Sequence, residues 1–153
     1  MLDPREALSG IKLRDGNLRL ELENFEIHEA HKVPTFFFRM LSEFSGEEVG
    51  SISLRVGSTA HVERYAGHIG YSVHERHRGQ RFAARSVVLL KPLAERLGLD
   101  PLWITTDPGN MASQRSLELA GATFVETVDV PEDCGLRRFR GKMQKCRYRL
   151  PTR

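Results

Sequence analysis

One stretch restricts the fold more than any other, because a strand-like segment runs through a short basic loop directly into a helical one. Residues 61–75 read HVERYAGHIGYSVHE and predict a long strand that ends near Val73. Gly67 and Gly70 indicate a bulge or a close approach of another part of the backbone. A strand that feeds a helix in this way is typical of a sheet with helices packed on it.

The helix that follows is predicted over residues 81–97, where apolar residues recur at helical spacing until Gly98. Pro92 should kink or split it, because proline leaves a carbonyl of the preceding turn without its partner. Between strand and helix lies RHRGQRFA (76–83), which places three arginines around Gly79. N–H groups at a helix start, the helix dipole and arginines together bind phosphate, so a pyrophosphate ligand is one interpretation of the loop. A solvated connection with surface arginines is the other.

The remaining pattern places strands before this junction and alternating helices and strands after it. Strands are predicted at 18–22, 35–44, 48–57, 102–106, 123–130 and 146–150, and a second helix runs from Met111 to Ala120, between Asn110 as N-cap and Gly121. This order predicts the α/β class, with a mixed sheet and helices packed on it.

Composition favours one soluble globular domain, since the 153 residues are 40% hydrophobic and 28% charged. We expect no membrane span, because no apolar run approaches the length that one needs, and no secretory signal at the start. Two cysteines, Cys134 and Cys146, are too few for a disulfide framework and predict free thiols in a cytoplasmic protein. No cluster of cysteine and histidine predicts a metal site.

Positive charge is concentrated in residues 132–153, which hold eight basic and two acidic residues, whereas the whole chain carries a net charge of +3. A basic segment can indicate nucleic acid, which would make the chain an RNA-associated module. Only Phe139 and Tyr148 could stack on bases there, so a charged strand edge is the favoured interpretation and nucleic acid is not the expected partner.

Two motifs in order resemble the GNAT N-acetyltransferases, in particular the branch that acetylates ribosomal-protein N-termini and an uncharacterised subgroup near it. IGYSVHERHRGQRFA (69–83) is similar to the family's pyrophosphate-binding segment, Gln/Arg-x-x-Gly-x-Gly/Ala, with Arg78 at its first position and Ala83 at its last. Arg81 departs from the usual glycine, which is tolerable if its backbone is helical. NMASQRSLELAGATF (110–124) is similar to the family's second cofactor helix.

The resemblance implies a GNAT-like fold over residues 10–150: a single, mixed, mostly antiparallel, splayed β-sheet with helices packed on both faces. The strand at 63–74 would splay from the strand at 102–106, and acetyl-CoA, the implied co-substrate, would fill the gap. The implied cofactor-binding residues are Tyr71, Ser72 and Val73 on the strand, Arg78, Gly79, Gln80, Arg81, Phe82 and Ala83 on the loop and helix start, and Asn110 and Ser113 on the second helix.

The implied activity is transfer of an acetyl group to a primary amine of a small molecule or a peptide N-terminus. A non-catalytic acyl-CoA-binding or sensor domain is the alternative, and a homodimer is compatible with either. Transfer needs a base for the amine, for which His68 and Glu75 are the first candidates, although each could be an ordinary surface residue. Leu117 stands where many relatives carry a tyrosine acid, so that acid is missing, and Asn110 could be only an N-cap.

Overall fold

The chain folds into two antiparallel ladders and three α-helices, in a computed structural model that describes residues 2–131 and 143–153. The elements follow the order α1 (Pro4–Leu8), β1 (Arg14–Asp15), β2 (Leu18–Ile27), β3 (Pro34–Ser42), β4 (Glu48–Arg55), β5 (Ile69–Val73), α2 (Phe82–Arg96), β6 (Leu102–Thr106), α3 (Met111–Leu119), β7 (Thr123–Asp129) and β8 (Gln144–Leu150). A π-helical turn at Val62–Ala66 precedes β5, and a 3-10 turn at Glu75–His77 follows it.

The first ladder joins β1 to β5 in chain order and has one apolar and one polar face. Side chains alternate between the two faces along each strand, so the residue pairing fixes which ones share a face. Phe38 lies opposite Ile52 and both are buried, whereas Arg39 lies opposite Ser51 and both reach solvent. The predicted strands at 18–22, 35–44 and 48–57 are therefore confirmed, with β2 longer than its alternation indicated.

Helix α2 covers the apolar face of this ladder. Its apolar stripe is buried in the same core cluster as the strands and consists of Phe82, Val87, Leu90, Leu93 and Ala94. Helix α1 packs against α2, where Arg96 Nη1 donates to the carbonyl oxygens of Ala7 at 2.7 Å and Ser9 at 2.6 Å. Pro92 lies inside a helix that continues to Arg96, so the predicted division of α2 does not occur.

The second ladder has the order β6-β8-β7, with β8 central and antiparallel to both neighbours. Ile104 lies opposite Tyr148 on its buried face, and the buried Leu117 of α3 joins the same core cluster. Helix α3 begins after Asn110, whose Oδ1 accepts from the Ser113 amide at 3.0 Å, as the N-cap assignment predicted.

The two ladders meet at one point and then separate. The His68 amide donates to the Trp103 carbonyl at 2.6 Å, and the Trp103 amide donates to Nδ1 of His68 at 2.9 Å. Beyond this point β5 and β6 belong to different ladders. The predicted splay is therefore present, and it divides what was expected as a single sheet.

Two features of the fold differ from the sequence-based expectation. The strand predicted over 61–75 begins only at Ile69, because residues 62–66 form the π-helical turn, which Thr105 Oγ1 holds by donating to the Tyr65 carbonyl at 2.8 Å. Among the described residues, α1 and α2 lie on the apolar side of the first ladder, α3 packs against α2 and β6, and a π-helical turn, not an α-helix, approaches the polar side through Arg55. None of these helices combines the length and hydrophobicity that a membrane span requires.

Candidate functional site

The divergence of β5 and β6 opens a cavity of about 240 Å³, which we call the splay cavity. Its walls come from β5, the end of β6 and the start of α3, together with the π-helical turn, His31 and parts of β4 and β8. The lining residues are His31, Arg55, Tyr65, Ala66, Ile69, Gly70, Tyr71, Thr105, Thr106, Asp107, Asn110, Ser113 and Lys145. The structure thus brings Tyr71, Asn110 and Ser113 together in the predicted gap.

Strand β5 presents free backbone groups to this cavity. In the antiparallel pairing of β5 with β4, the Arg55 amide donates to the His68 carbonyl and the His74 amide donates to the Val49 carbonyl. Since hydrogen-bonded and non-hydrogen-bonded pairs alternate, the backbone groups of Tyr71 and Val73 point away from β4 and those of Ser72 point toward it. The backbone of Tyr71 and the amide of Val73 can therefore pair with an extended ligand, whereas the Val73 carbonyl accepts from Arg78 Nε at 3.4 Å and the backbone of Ser72 is paired with β4.

The Tyr71 side chain crosses the cavity to α3. Its hydroxyl lies 2.7 Å from Ser113 Oγ and donates to the Ser113 carbonyl at 3.2 Å. Burial raises the pKa of Tyr71, so its hydroxyl stays protonated at neutral pH. Sequence reasoning placed both residues at the cofactor but missed this contact between their side chains. Leu117, one helical turn beyond Ser113, is fully buried in the core and contributes no acid.

The predicted phosphate loop leads from the 3-10 turn into α2. Gly79 has a φ of 93°, and the space that a side chain would occupy there is open. Arg81 immediately precedes α2 and its side chain makes no capping hydrogen bond, whereas the side chains of Phe82 and Ala83 are buried in the core. The first amides of α2 therefore lack a side-chain cap at the loop, as an anion site requires.

The backbone of Arg81 contradicts the expectation of a helical conformation. Its φ of 60° and ψ of 28° are left-handed, a region in which a residue with a side chain costs about 1–2 kcal/mol. This conformation gives a physical reason for the glycine that the family usually has at this position. Here the arginine keeps the turn at the cost of strain and adds a positive charge.

The arginines of the loop differ in their partners. Arg76 Nη2 lies 2.6 Å from Glu47 Oε1 in an exposed ion pair. Arg78 donates from Nε to the Val73 carbonyl at 3.4 Å, and within residues 2–131 and 143–153 neither it nor Arg81 has a carboxylate partner. Two of the three arginines are thus available to an anionic ligand.

A polar network fixes the loop from outside. Arg85, in the first turns of α2, donates from Nε to Asp15 Oδ2 at 2.8 Å, from Nη2 to Asn17 Oδ1 at 2.8 Å and from Nη1 to the Gln80 carbonyl at 3.2 Å. Asn17 in turn donates from Nδ2 to Gln80 Oε1 at 3.2 Å. Gln80 of the predicted site is therefore held by the turn between β1 and β2.

His68, a predicted base, lies at the junction of the ladders and is 1% exposed. Its Nδ1 accepts from the Trp103 amide, which leaves the proton on Nε2, and Nε2 lies 3.3 Å from Ser58 Oγ. Burial, with the nearby charge of Arg55, lowers the pKa of His68 to about 4. Both ring nitrogens are engaged outside the splay cavity, and this geometry favours a structural role.

Glu75, the other predicted base, begins the 3-10 turn on the surface. Its carbonyl accepts from the Arg78 amide at 3.2 Å, and the residue lines neither the splay cavity nor the neighbouring cavity described below. The assignment of Glu75 as a base stays a prediction.

Sequence reasoning missed two groups that line the splay cavity. His31 Nδ1 lies 2.8 Å from His61 Nε2, and burial lowers the pKa of His31 to about 3. Arg55 ends β4 and reaches the cavity from the polar face of the first ladder. The period-two pattern of β4 places Arg55 on that face with Ser51 and Ser53, which was the available signal. In the described part of the chain, no group of histidine, cysteine and acidic residues has an arrangement that could hold a metal ion.

Solved structures with this fold are acetyltransferases from several bacteria. The ribosomal-protein-S5-alanine acetyltransferase from Vibrio fischeri matches 77% of this chain and 62% of its own at 15% identity and a TM-score of 0.59. The protein yncA from Salmonella typhimurium, solved with its cofactor acetyl-CoA, matches 78% and 65% at 18% identity and a TM-score of 0.58. The microcin C7 self-immunity acetyltransferase MccE, solved with acetyl-CoA and AMP, matches 76% and 61% at 13% identity and a TM-score of 0.58. The chain thus spans less than two thirds of the length of these structures, and the likeness establishes the fold.

A search of curated proteins found no match to this sequence. The family model described as the acetyltransferase (GNAT) domain matches residues 12–123, which is most of the chain and includes the loop, the splay cavity strands and α3. The family that the motifs resembled is confirmed, and with it the fold class: this chain belongs to the GNAT acetyltransferase family.

Proposed function

We propose that this chain is an acetyl-CoA-dependent N-acetyltransferase that acts on a primary amine of a small molecule or a peptide N-terminus. The observation that carries the proposal is the continuity of two half-sites: the splay cavity, with free backbone groups on β5, lies beside an uncapped helix start with unpaired arginines. An extended arm that ends in phosphates fits both halves at once. The family membership supports the same chemistry.

Acetyl-CoA would supply the acetyl thioester, and the residues of this chain would bind and orient it. Backbone groups of Tyr71 and Val73 would pair with the amides of the pantetheine arm, and Asn110 and Ser113 would border it. The N–H groups of α2, with Arg78 and Arg81, would hold the pyrophosphate. In the transfer, the amine nitrogen attacks the carbonyl carbon, the carbon–sulfur bond breaks, and the proton lost by the amine replaces the acetyl group on sulfur.

Neither predicted base, His68 or Glu75, lines the splay cavity. The hydrogen bonds of His68 engage both of its nitrogens, so we infer that it acts by holding β5 against β6. Glu75 can serve only through water, because it lines neither cavity. We therefore propose that water in the splay cavity takes the proton, and kcat for Glu75→Gln beside wild type measures any contribution from Glu75.

Binding of acetyl-CoA should stabilise the folded protein. With a Kd of ~10 µM, 1 mM acetyl-CoA adds about 2.7 kcal/mol to the free energy of unfolding by mass action. Differential scanning calorimetry should show this as a higher melting temperature, and release of CoA thiol should follow when an amine is added. An unchanged melting temperature at millimolar acetyl-CoA would contradict the proposal. Stabilisation without thiol release on any amine panel would favour the sensor domain.

The partners of the loop arginines predict unequal effects on that binding. Arg78→Gln should weaken acetyl-CoA binding about three- to tenfold, because it removes an unpaired charge at a solvent-accessible anion site. Arg76→Gln, the matched control, should change Kd less than twofold, because that charge is already paired with Glu47. Isothermal titration calorimetry decides between them, and equal losses would place the phosphates elsewhere.

We also propose that the protein works in a reducing compartment such as the cytoplasm. The support is that Cys146 is a free, buried thiol. Cys134 lies in residues 132–142, which are outside the described residues and hold four of the eight basic residues of the segment 132–153. A homodimer stays a prediction, which sedimentation of the purified chain tests.

A further inference from the structure

Arg55 is a partly buried cation without a carboxylate partner in the described part of the chain. Its Nη1 donates to the carbonyl oxygens of Ala66 at 3.0 Å and Gly67 at 2.8 Å, which anchors the end of the π-helical turn. Its Nε is buried and makes no hydrogen bond. Neutral carbonyls satisfy part of the guanidinium, but they leave its charge uncompensated.

Among the described residues, no acidic side chain forms an ion pair with Arg55, and none contributes to the shift of its pKa. Burial lowers its pKa to about 10, so the side chain is still charged at neutral pH. Four histidines near Arg55 have lowered pKa values. Burial is the largest cause in each, and the charge of Arg55 is the next: His28, His31, His61 and His68. Imidazoles that are neutral at pH 7 therefore surround the cation, and none of them offsets its charge.

Arg55 lies where two cavities meet. A second cavity of about 360 Å³, which we call the face cavity, extends over the polar face of the first ladder. Phe37, Ser51 and Ser53 contribute to its walls together with one acid, Glu23, which could hold the ammonium form of an acceptor, and it shares Arg55, Gly70 and Tyr71 with the splay cavity. This volume falls in the range of about 300–1,000 Å³ that is usual for small-molecule sites.

The glycine at position 70 makes room for the guanidinium. A Cβ atom at Gly70 would lie 2.9 Å from Arg55 Nη2, so the end of the arginine rests directly against the bare backbone of β5. This is the close approach that the sequence indicated at Gly70. It brings the charge next to Tyr71, the strand residue that faces the splay cavity.

From this geometry we propose that Arg55 binds a carboxylate of the acceptor, so that the acceptor is a small amine with a carboxylate close to its amino group, such as an amino acid. The inference rests on the proposed acetyl transfer. The carboxylate on Arg55 would hold the acceptor in the face cavity with its amine directed at the splay cavity, where the thioester would lie. Among the described residues, the splay cavity has two cations, and Lys145 is paired with Asp107 at 2.7 Å. Arg55 is therefore the cation left to bind an anion, and its single charge matches a single carboxylate.

The test compares amino acids with their primary amides as acceptors in a CoA-thiol release assay. The α-amino group of an amino acid amide is less basic than that of the free amino acid, so more of it is neutral and able to attack at pH 7. Intrinsic reactivity therefore favours the amide, and a preference for the acid would come from binding. Wild-type protein should prefer the acid at least tenfold in kcat/KM. Arg55→Gln should reduce kcat/KM about 10- to 100-fold for the acid and less than threefold for the amide.

Two further variants keep the proposal testable if Arg55→Gln folds poorly. Arg55→Lys retains the charge and should retain the preference for the acid. Arg39→Gln removes an arginine from the same sheet face, where it pairs with Glu21 and lines neither cavity, and should keep the wild-type ratio. Peptides with an acidic or a neutral first residue form a separate arm, and acidic peptides accepted in preference to free amino acids would overturn the small-molecule assignment.

Several outcomes would overturn the role of Arg55. One is equal kcat/KM for acids and amides in wild-type protein. Another is an equal loss for both acceptors in Arg55→Gln, which would instead indicate an action on the thioester. In either case transfer to amides and the melting-temperature shift with acetyl-CoA would persist, so the proposed function would stand. If acetyl-CoA caused no shift and no acceptor were acetylated, both the proposed function and the proposed role of Arg55 would be contradicted.

Discussion

Replacing Gly67 with alanine should lower the free energy of unfolding by about 3 kcal/mol or more. Its φ of 78° and ψ of 161° lie in a region that residues with side chains essentially do not adopt, at a cost of about 1–3 kcal/mol. An added Cβ would also lie 3.0 Å from the Thr105 amide nitrogen and 3.2 Å from two further backbone atoms of β6. Backbone cannot rotate away as a side chain can, so β6 itself must move.

Gly98→Ala is the matched control for this prediction. Gly98 has the same φ of 78°, but nothing lies within 4 Å of an added Cβ, so the substitution adds the cost of a positive φ without any contact, about 1–2 kcal/mol. Chemical denaturation of both variants measures the difference. Because Gly67 borders the origin of the splay cavity, its variant should also lose stabilisation by acetyl-CoA, whereas Gly98→Ala should keep it. Equal costs would mean that β5 and β6 can separate without penalty.

Acidification should destabilise the protein by about 2 kcal/mol between pH 7 and pH 5 through His68 alone. The folded protein protonates this ring only near pH 4, whereas the unfolded chain does so near pH 6.5. The unfolded state therefore binds more protons throughout that interval, and stability falls as pH falls. His31, with a pKa of about 3, acts in the same direction.

His68→Asn separates this titration from the structural role of the residue. Asparagine can offer an oxygen near the position of Nδ1 and so accept from the Trp103 amide, but it does not titrate. Free energies of unfolding measured from pH 8 to pH 5 should fall less steeply in the variant, by about 2 kcal/mol over the range. A slope identical to that of the wild type would show that His68 is not the residue that senses acid.

The parts of this structure that the sequence predicts best are those with local causes. Helix α3 follows from an N-cap at Asn110 and a glycine at position 121, whose φ is 96°. The π-helical turn was mistaken for strand, because its conformation depends on distant partners: Thr105 bonds one of its carbonyls and Arg147 donates to that of Glu63. Such contacts are invisible to periodicity.

In the candidate site, too, features with local causes could be predicted and features that depend on distant contacts could not. The loop and its helix are contiguous, so their sequence predicted an anion site. The position of Arg55 in the site could not be predicted, because its neighbours come from three separate segments that no local pattern connects. These are the hairpin at 28–31, the turn at 62–66 and the strand at 69–73. The left-handed backbone of Arg81 could not be predicted from its residue type, since arginine rarely adopts it.

The contacts of Arg85 connect the proposed cofactor site to the beginning of the chain. They join the turn between β1 and β2 to the residue that follows Gly79, so a ligand that orders the loop must also order that turn. Coupling of this kind is reciprocal. Changes at Asp15 or Asn17 can therefore alter affinity at a distance, and the N-terminal hairpin is a place where selection could adjust cofactor affinity while leaving the binding motif itself intact.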